Sequence, residues 1–140
     1  MTFKVRRVET WVAKIEDKPG GLAEKLTALA AGGVNLEFVL ARRTPETPGG
    51  AVVFVSPIKG AKATKAARHA GFDKAGDLYA VRVEGPDRKG QGARIAAALS
   101  GAGLNLRGFS AAAIGKRFVS HIALDTAADA ARAARLIKAL

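Results

Sequence analysis

Residues 17–36 read DKPGGLAEKLTALAAGGVNL, and residues 87–106, lying 70 positions later, read DRKGQGARIAAALSGAGLNL. An alanine-rich chain can mimic part of such a match, but the shared aspartate, glycines and asparagine are harder to obtain by chance. The chain therefore carries an internal repeat, which decides how the rest of the sequence is interpreted. The identical pairs include Asp17 and Asp87, Gly20 and Gly90, Ala23 and Ala93, Leu29 and Leu99, Gly33 and Gly103, Asn35 and Asn105, and Leu36 and Leu106.

Each copy of the repeat has the same order of predicted elements. An alternating strand leads through a Gly-rich loop into a helix that ends at glycines, and a hairpin and a second helix follow. This order, with one further strand, is typical of a split βαβ fold. We predict an α+β chain of two ferredoxin-like βαββαβ modules in tandem, with antiparallel sheets and helices on one face. The predicted segments are strand 11–16, helix 21–31, hairpin 34–55 and helix 62–70, then strand 79–84, helix 91–100, hairpin 104–124 and helix 127–139.

The domain boundary is predicted between residues 72 and 73, which gives modules 1–72 and 73–140. The first module has a closing strand available at 77–83, whereas the second still lies in its last helix at Leu140. The surplus strand at 3–7 is predicted to complete the sheet of the second module. The alternative is a frayed terminus without that role.

The composition excludes several classes of protein. The chain has 140 residues and no cysteine, so disulfides, thiolate metal sites and cysteine nucleophiles are absent. No apolar run reaches the roughly 20 residues that cross a bilayer, and the N-terminus lacks the apolar segment of a secretory signal. We therefore expect a cytoplasmic protein with no membrane partner. The net charge of +11 is spread evenly, +6 over residues 1–70 and +5 over 71–140, which favours a solvated basic surface over a binding groove.

The loop at 17–22 and the segment Gly33-Val-Asn-Leu resemble the ACT domain, a small regulatory module with this strand order. The usual signature is an Asp- or Asn-x-Pro-Gly loop, a helix, and Gly-hydrophobic-Asn-hydrophobic at the start of the second strand. The second copy matches the latter part at 103–106. It departs in the loop, where Lys89 stands in the place of Pro19 and Gln91-Gly92 replaces Gly21-Leu22.

The resemblance implies binding of an amino acid or related small ligand, usually at an interface between paired modules. Glycines at a helix start allow a ligand to approach the backbone closely, and the free N–H groups there favour a carboxylate. Asp17 could pair with an α-amino group, and Asn35 could hold the ligand's polar atoms. The candidate binding residues are Asp17, Lys18, Pro19, Gly20, Gly21, Leu22, Asn35 and Leu36 in the first copy, and Asp87, Arg88, Gly90, Gln91, Gly92, Asn105 and Leu106 in the second.

Structural roles for these residues remain open alternatives. Asp17 and Asp87 could cap helices, and the two asparagines could satisfy turn backbone. Because the Pro-Gly loop is intact only in the first copy, a site that has lost its function is expected near Asp87 rather than near Asp17.

The sequence offers little for catalysis. His69 and His121 are the only histidines, and neither has a second histidine at ligand spacing. No phosphate loop, dinucleotide fingerprint or nucleophile elbow is present. We expect no enzyme activity, no cofactor and no metal.

The predicted function is a stand-alone, tandem ACT-like sensor or regulatory subunit that binds an amino acid or similar anion. We expect a homodimer and a possible partner enzyme. One alternative is a basic nucleic-acid-binding protein, although only 6% of the residues are aromatic and no aromatic-rich basic strand is present. Another is a regulatory interaction subunit that binds no ligand.

Overall fold

The computed structural model describes residues 2–140 and places their strands in two separate four-stranded antiparallel sheets. The chain divides into two compact units. We call Glu9–Ala75 the first unit, and residues 2–8 with Gly76–Leu140 the second unit. The strands are β1 (Lys4–Val8), β2 (Trp11–Glu16), β3 (Phe38–Arg43), β4 (Gly50–Ser56), β5 (Asp73–Lys74), β6 (Tyr79–Pro86), β7 (Gly108–Ile114) and β8 (Arg117–Leu124), and the helices are α1 (Gly21–Ala31), α2 (Ala61–His69), α3 (Gln91–Gly101) and α4 (Ala127–Lys138).

The sheet of the first unit has the order β3-β4-β2-β5. Its core-facing residues alternate along β2 and β4, so that Trp11 lies opposite Val55 and Ala13 opposite Val53. These four residues are buried together with Leu29 of α1 and apolar residues of α2. Since successive strand residues point to opposite faces, the apolar alternation places both helices on one face of the sheet.

The sheet of the second unit has the order β1-β6-β8-β7. Here β1 takes the outer position next to β6, with Val5 opposite Val83 and Arg7 opposite Val81. Its core joins apolar residues of the strands to Ile95 and Leu99 of α3 and to apolar residues of α4. Both units thus have the strand order of a ferredoxin-like βαββαβ fold, which confirms the predicted fold class.

Several predicted boundaries differ from those observed. The strand expected at 77–83 to close the first module is wrong, because that segment belongs to β6, which pairs with β1 and β8. The two residues of β5 take the closing position beside β2 instead. The second strands begin four residues later than predicted, at Phe38 and Gly108.

Helix α4 begins with a side-chain cap. Thr126 is the N-cap, and its hydroxyl accepts the backbone N–H of Asp129 at 3.0 Å. Over residues 2–140, no helix is long and apolar enough to cross a membrane.

Candidate functional site

The first candidate loop turns the chain from β2 into α1 through a left-handed glycine. Gly20 is the N-cap of α1, with φ 87° and ψ −11°, a conformation that suits glycine alone. The backbone N–H of Asp17 donates to the carbonyl of Gly49 at 3.0 Å. A methyl group on Gly21 would collide with the carbonyl oxygen of Glu16. The two glycines therefore allow α1 to start directly against the end of β2.

The second candidate loop makes the same turn with different contacts. Gly90, with φ 84° and ψ 7°, is the N-cap of α3. Gln91 takes the place of Gly21, and its side chain is buried: Nε2 donates to the carbonyl of Pro86 at 2.9 Å. Gln91 therefore holds the loop against the end of β6, and its amide is directed at the protein rather than at a ligand.

Both helices begin without a side-chain cap. Neither α1 nor α3 has a side-chain hydrogen bond at its N-cap, so the alternative in which Asp17 and Asp87 cap the helices is wrong. Residues 17–20 and 87–90 are all exposed. The first-turn N–H groups of a helix have no intrahelical acceptor, and the helix dipole adds partial positive charge there. The N–H groups of Gly21 and Gln91 donate to the carbonyls of Lys18 and Arg88. Each loop therefore presents the next two backbone N–H groups of its helix as donors suited to a small anion.

The two loop aspartates differ in whether their carboxylates have a partner among the described residues. The Nε of Arg43, at the end of β3, donates to Oδ2 of Asp17 at 2.7 Å. In the second unit the position equivalent to Arg43 is Ala113, and over residues 2–140 the carboxylate of Asp87 makes no ion pair or hydrogen bond. The first loop is thus neutralised by its own unit, whereas the second presents a carboxylate open to a cation.

The surroundings of the first helical turn also differ. The second unit has Gly92 where the first has Leu22, and the ring of Phe109 lies 3.8 Å from the place where a Cβ of Gly92 would be. Val39 is the equivalent of Phe109 in β3, and both are exposed, at 42% and 40%. The first unit therefore has leucine and valine at the two positions where the second unit has a glycine and an aromatic ring.

The structure does not bring the asparagines to the loops. Asn35 and Asn105 lie beyond the C-terminal ends of α1 and α3, each helix being 11 residues long, or about 16 Å. One amino-acid ligand therefore cannot touch both the loop and the asparagine of the same unit. Both asparagines are exposed, and over residues 2–140 neither side chain makes a hydrogen bond. Leu36 and Leu106 are partly buried against the cores, which gives them a packing role.

The remaining loop candidates are exposed. The Nζ of Lys18 lies 3.0 Å from Oε2 of Glu16, and this hydrogen bond and the negative charge of Glu16 raise the pKa of Lys18. Pro19 and Arg88 are both exposed in their loops. These side chains form the rim of each loop.

Two residues near the loops were not predicted from the sequence. Arg43 and Phe109 both lie on the second strand of a module, far from the loop in sequence. The strand order indicates a position for Arg43 near the loop. Because β3 runs parallel to β2, both strands end at the same end of the sheet, where the loop begins. The repeat alone does not predict the register of the β3–β4 hairpin, which is needed to place Arg43 beside the loop.

Neither histidine lies at the loops. His69 is the last residue of α2, and His121 lies on β8 opposite Arg82. Among residues 2–140, no group of three histidine, aspartate or glutamate side chains is placed to hold a metal ion.

Comparison with known proteins gives likeness at the level of structure. No family model and no curated protein matches the sequence. A protein from Bacteroides thetaiotaomicron is similar in structure, with a TM-score of 0.76 and 17% identity, over 96% of this chain and 89% of that one. The ligand-free regulatory subunit of aspartate kinase from Thermus thermophilus has a TM-score of 0.68 and 17% identity, over 99% of this chain and 96% of that one.

A longer protein contains a similar region. Aspartokinase III of E. coli, in complex with aspartate and ADP, has a TM-score of 0.62 and 15% identity, over 98% of this chain but 32% of the enzyme. The fold of this chain is thus one that regulatory subunits of aspartate kinase share, and these likenesses support an ACT-like fold. At such identities they bear on the fold alone.

Proposed function

We propose that this chain is a non-catalytic regulatory protein that binds an amino acid or a similar small anionic ligand at the loops before α1 and α3. One observation carries the proposal. In both units an exposed N-cap glycine lies near an aspartate, and no side chain accepts a hydrogen bond from the first-turn N–H groups of the helix. The fold shared with regulatory subunits of aspartate kinase supports the regulatory role.

The groups at each loop suit a zwitterion. A ligand carboxylate would accept the first-turn N–H groups, where the helix dipole stabilises negative charge. A ligand ammonium would lie against the aspartate. In the second unit Asp87 is open to it, while in the first unit the ammonium has to displace Arg43 from Asp17.

Asparagine participation requires a module other than the one whose loop holds the ligand. Since Asn35 and Asn105 lie a helix length from the loop of their own unit, they would reach a ligand only when a different module, of this chain or of a second copy, supplies them. A homodimer is the arrangement that we propose. Ligand binding would shift a conformational equilibrium of this protein, provided that the ligand binds its two states with different affinities. We propose that a partner enzyme responds to this shift.

A thermal-shift screen of the full chain against the twenty standard amino acids tests the proposal. Saturation of a native-state site at 100 times Kd raises stability by about 2.7 kcal/mol. We expect Asp87→Ala to remove most of the shift and leave only the part due to the first loop, and Glu46→Ala, an exposed loop substitution, to leave the shift unchanged. The absence of any shift at millimolar concentrations would reject the proposal, and a response to RNA but to no amino acid would favour the nucleic-acid alternative.

Arg43→Ala separates the two loops in the same assay. Removing the guanidinium frees Asp17, so that the first loop gains the open carboxylate that the second already has. We expect the number of ligand molecules bound per chain, measured by calorimetry, to rise. Trp11, the chain's one tryptophan, lies in the first unit and gives a fluorescence readout of that unit. An unchanged stoichiometry would show that Arg43 does not control access to Asp17.

A further inference from the structure

Three exposed lysines lie at the start of α2. Lys59 precedes the N-cap Gly60, and Lys62 and Lys65 lie three residues apart on the helix. Over residues 2–140, none of the three side chains makes an ion pair or a hydrogen bond. Residues 47–72, which contain them, have no aspartate or glutamate, although the net charges of the two halves of the chain are nearly equal. We call these three residues the lysine row.

Helix stability does not explain the lysine row. The first turn of a helix carries partial positive charge, so cations beside it are unfavourable, and α2 has no acidic residue there to offset them. The other cations of α1 and α2 have partners in their own unit. Arg68 pairs with Asp73 at 2.8 Å, and the Nζ of Lys25 donates to the carbonyl of Ala70 at 2.6 Å. The lysine row is therefore the part of this helix pair that remains available to an external anion.

The side chains around the lysine row are small. Helix α2 reads AKATKAARH, without a large aliphatic residue, phenylalanine, tyrosine or tryptophan, and its buried residues are Ala63 and Ala67. A protein interface depends on aromatic and other large anchors at its centre, and a helix that lies on a membrane inserts an apolar face. The apolar face of α2 is instead buried in the core of its own unit. The exposed face offers cations alone, which is what a phosphate backbone requires.

We propose that the lysine row binds the phosphate backbone of a nucleic-acid duplex, independently of base sequence. Lysine contacts to phosphate position a protein on a duplex but carry no sequence information. Base edges are read mainly by arginine, asparagine and glutamine, and α2 has neither amide residue, while its one arginine, Arg68, is paired with Asp73. Single strands are bound by stacking on aromatic rings, which α2 lacks. This binding goes beyond the proposed function, since no amino-acid ligand takes part in it.

Helix α4 offers a control of equal charge. Arg132, Arg135 and Lys138 are exposed on it, and among the described residues they too make no ion pair. Arg135 and Lys138 lie in the last turn, where the helix dipole favours cations, and Asp129 lies in the first turn, where the dipole favours an anion. The charges of α4 therefore stabilise their own helix, a role that the lysine row does not have.

Fluorescence anisotropy of labelled DNA duplexes of about 20 base pairs, between about 50 and 200 mM salt, tests the proposal. We expect the wild-type chain to bind two unrelated sequences equally. Replacing all three lysines of the row by glutamine should weaken binding at least about tenfold and reduce the slope of log K against log salt by about 2.7. The matched triple variant Arg132→Gln, Arg135→Gln and Lys138→Gln should keep most of the affinity. An equal loss in both variants, or no binding by the wild type at the lowest salt, overturns the proposal.

Competition with poly-glutamate separates a nucleic-acid duplex from an acidic protein surface as the partner. We expect the duplex to remain bound when poly-glutamate is added at an equal concentration of charge, and its displacement would contradict the proposal. Circular dichroism checks that the triple lysine variant is folded, which is expected because it removes positive charge from a helix start. Should that variant fail to fold, Lys62→Gln replaces it. The salt slope should then fall by about 0.9, and an unchanged slope contradicts the contact equally.

Discussion

The two units follow one strand order but close their sheets with different segments. In the first unit the closing strand is β5, two residues that follow α2 directly in the chain. In the second unit it is β1, five residues from the other end of the chain. Both modules thus have a closing strand beside their first strand. The segment that forms this strand differs, because β5 follows α2 in the chain whereas β1 precedes the first module.

The loops and outer strands differ in the same paired way. The first unit has a neutralised aspartate and a charged edge, and the second has an open aspartate and an uncharged edge. Arg43 contributes to both differences, since it stands where the second unit has Ala113, and Arg42 adds a second charge to the outer strand of the first unit. The Arg43 position thus links the loop to the outer strand.

Phe3→Ala is expected to have the largest effect, a loss of stability in the second unit next to its closing strand. Phe3 is 3% exposed, and its ring occupies the space left by the missing side chain of Gly85. Removing a buried phenylalanine ring costs about 3–5 kcal/mol. We expect urea unfolding followed by circular dichroism to show this loss, while the transition followed by Trp11 fluorescence, which reports on the first unit, shifts less. An equal or larger shift of the Trp11 transition would show that Phe3 stabilises the first unit as well.

The sequence predicts the fold well because its signals are local or repeated. Apolar alternation and glycine stops place the strands and helices, and the repeat links the two copies. The closing strand of the first unit was misplaced because two residues, Asp73 and Lys74, are too few for any periodicity. The partner of Asp17 was missed because it depends on a hairpin register over an irregular loop. Locating the partners of the site residues therefore required the three-dimensional fold, whereas the fold class could be predicted from the repeat and the apolar pattern.

Gly21→Ala and Gln91→Ala measure how differently the starts of α1 and α3 are stabilised. Because the added methyl group meets the carbonyl oxygen of Glu16, the helix has to shift, and we expect a loss of about 1–3 kcal/mol. Gln91→Ala, at the equivalent position, instead removes a buried hydrogen bond to Pro86, worth about 1 kcal/mol. Chemical denaturation of both variants gives the two losses. A larger loss for Gln91→Ala would contradict the steric account of Gly21.

Ser120→Ala tests a difference between the two cores and is expected to stabilise the second unit. Ser120 is fully buried opposite Val83, and over residues 2–140 its hydroxyl has no hydrogen-bond partner. The equivalent residue of the first unit is Val53, opposite Ala13. Removing an unsatisfied buried hydroxyl gains about 1 kcal/mol. Thermal unfolding should show a higher midpoint, and a lower one would mean that the hydroxyl is satisfied in solution.

The smallest expected effect is a pH dependence of stability that arises from Glu84 in the second unit. Burial raises the pKa of Glu84, but the hydrogen bond and charge of Arg82, with the charges of Lys4 and Arg117, outweigh it and hold the pKa below its ordinary value of 4.5. A carboxyl group whose pKa is lowered by folding binds fewer protons in the native state. The contribution of Glu84 to the free energy of unfolding is therefore complete above pH 4.5 and is lost as the pH falls through the folded-state pKa.

Glu84→Gln isolates this contribution, since the amide keeps the shape and cannot ionise. Wild type and variant are compared by urea unfolding between pH 3 and pH 7. We expect the wild type to exceed the variant in stability at pH 7 and the difference to shrink toward pH 3. The equivalent position in the first unit is Lys14, so Lys14→Gln, at an exposed residue, serves as a control that should lack this acid dependence. A gap between wild type and Glu84→Gln that stays constant with pH would mean that the ion pair with Arg82, 3.0 Å in length, contributes nothing through its charge.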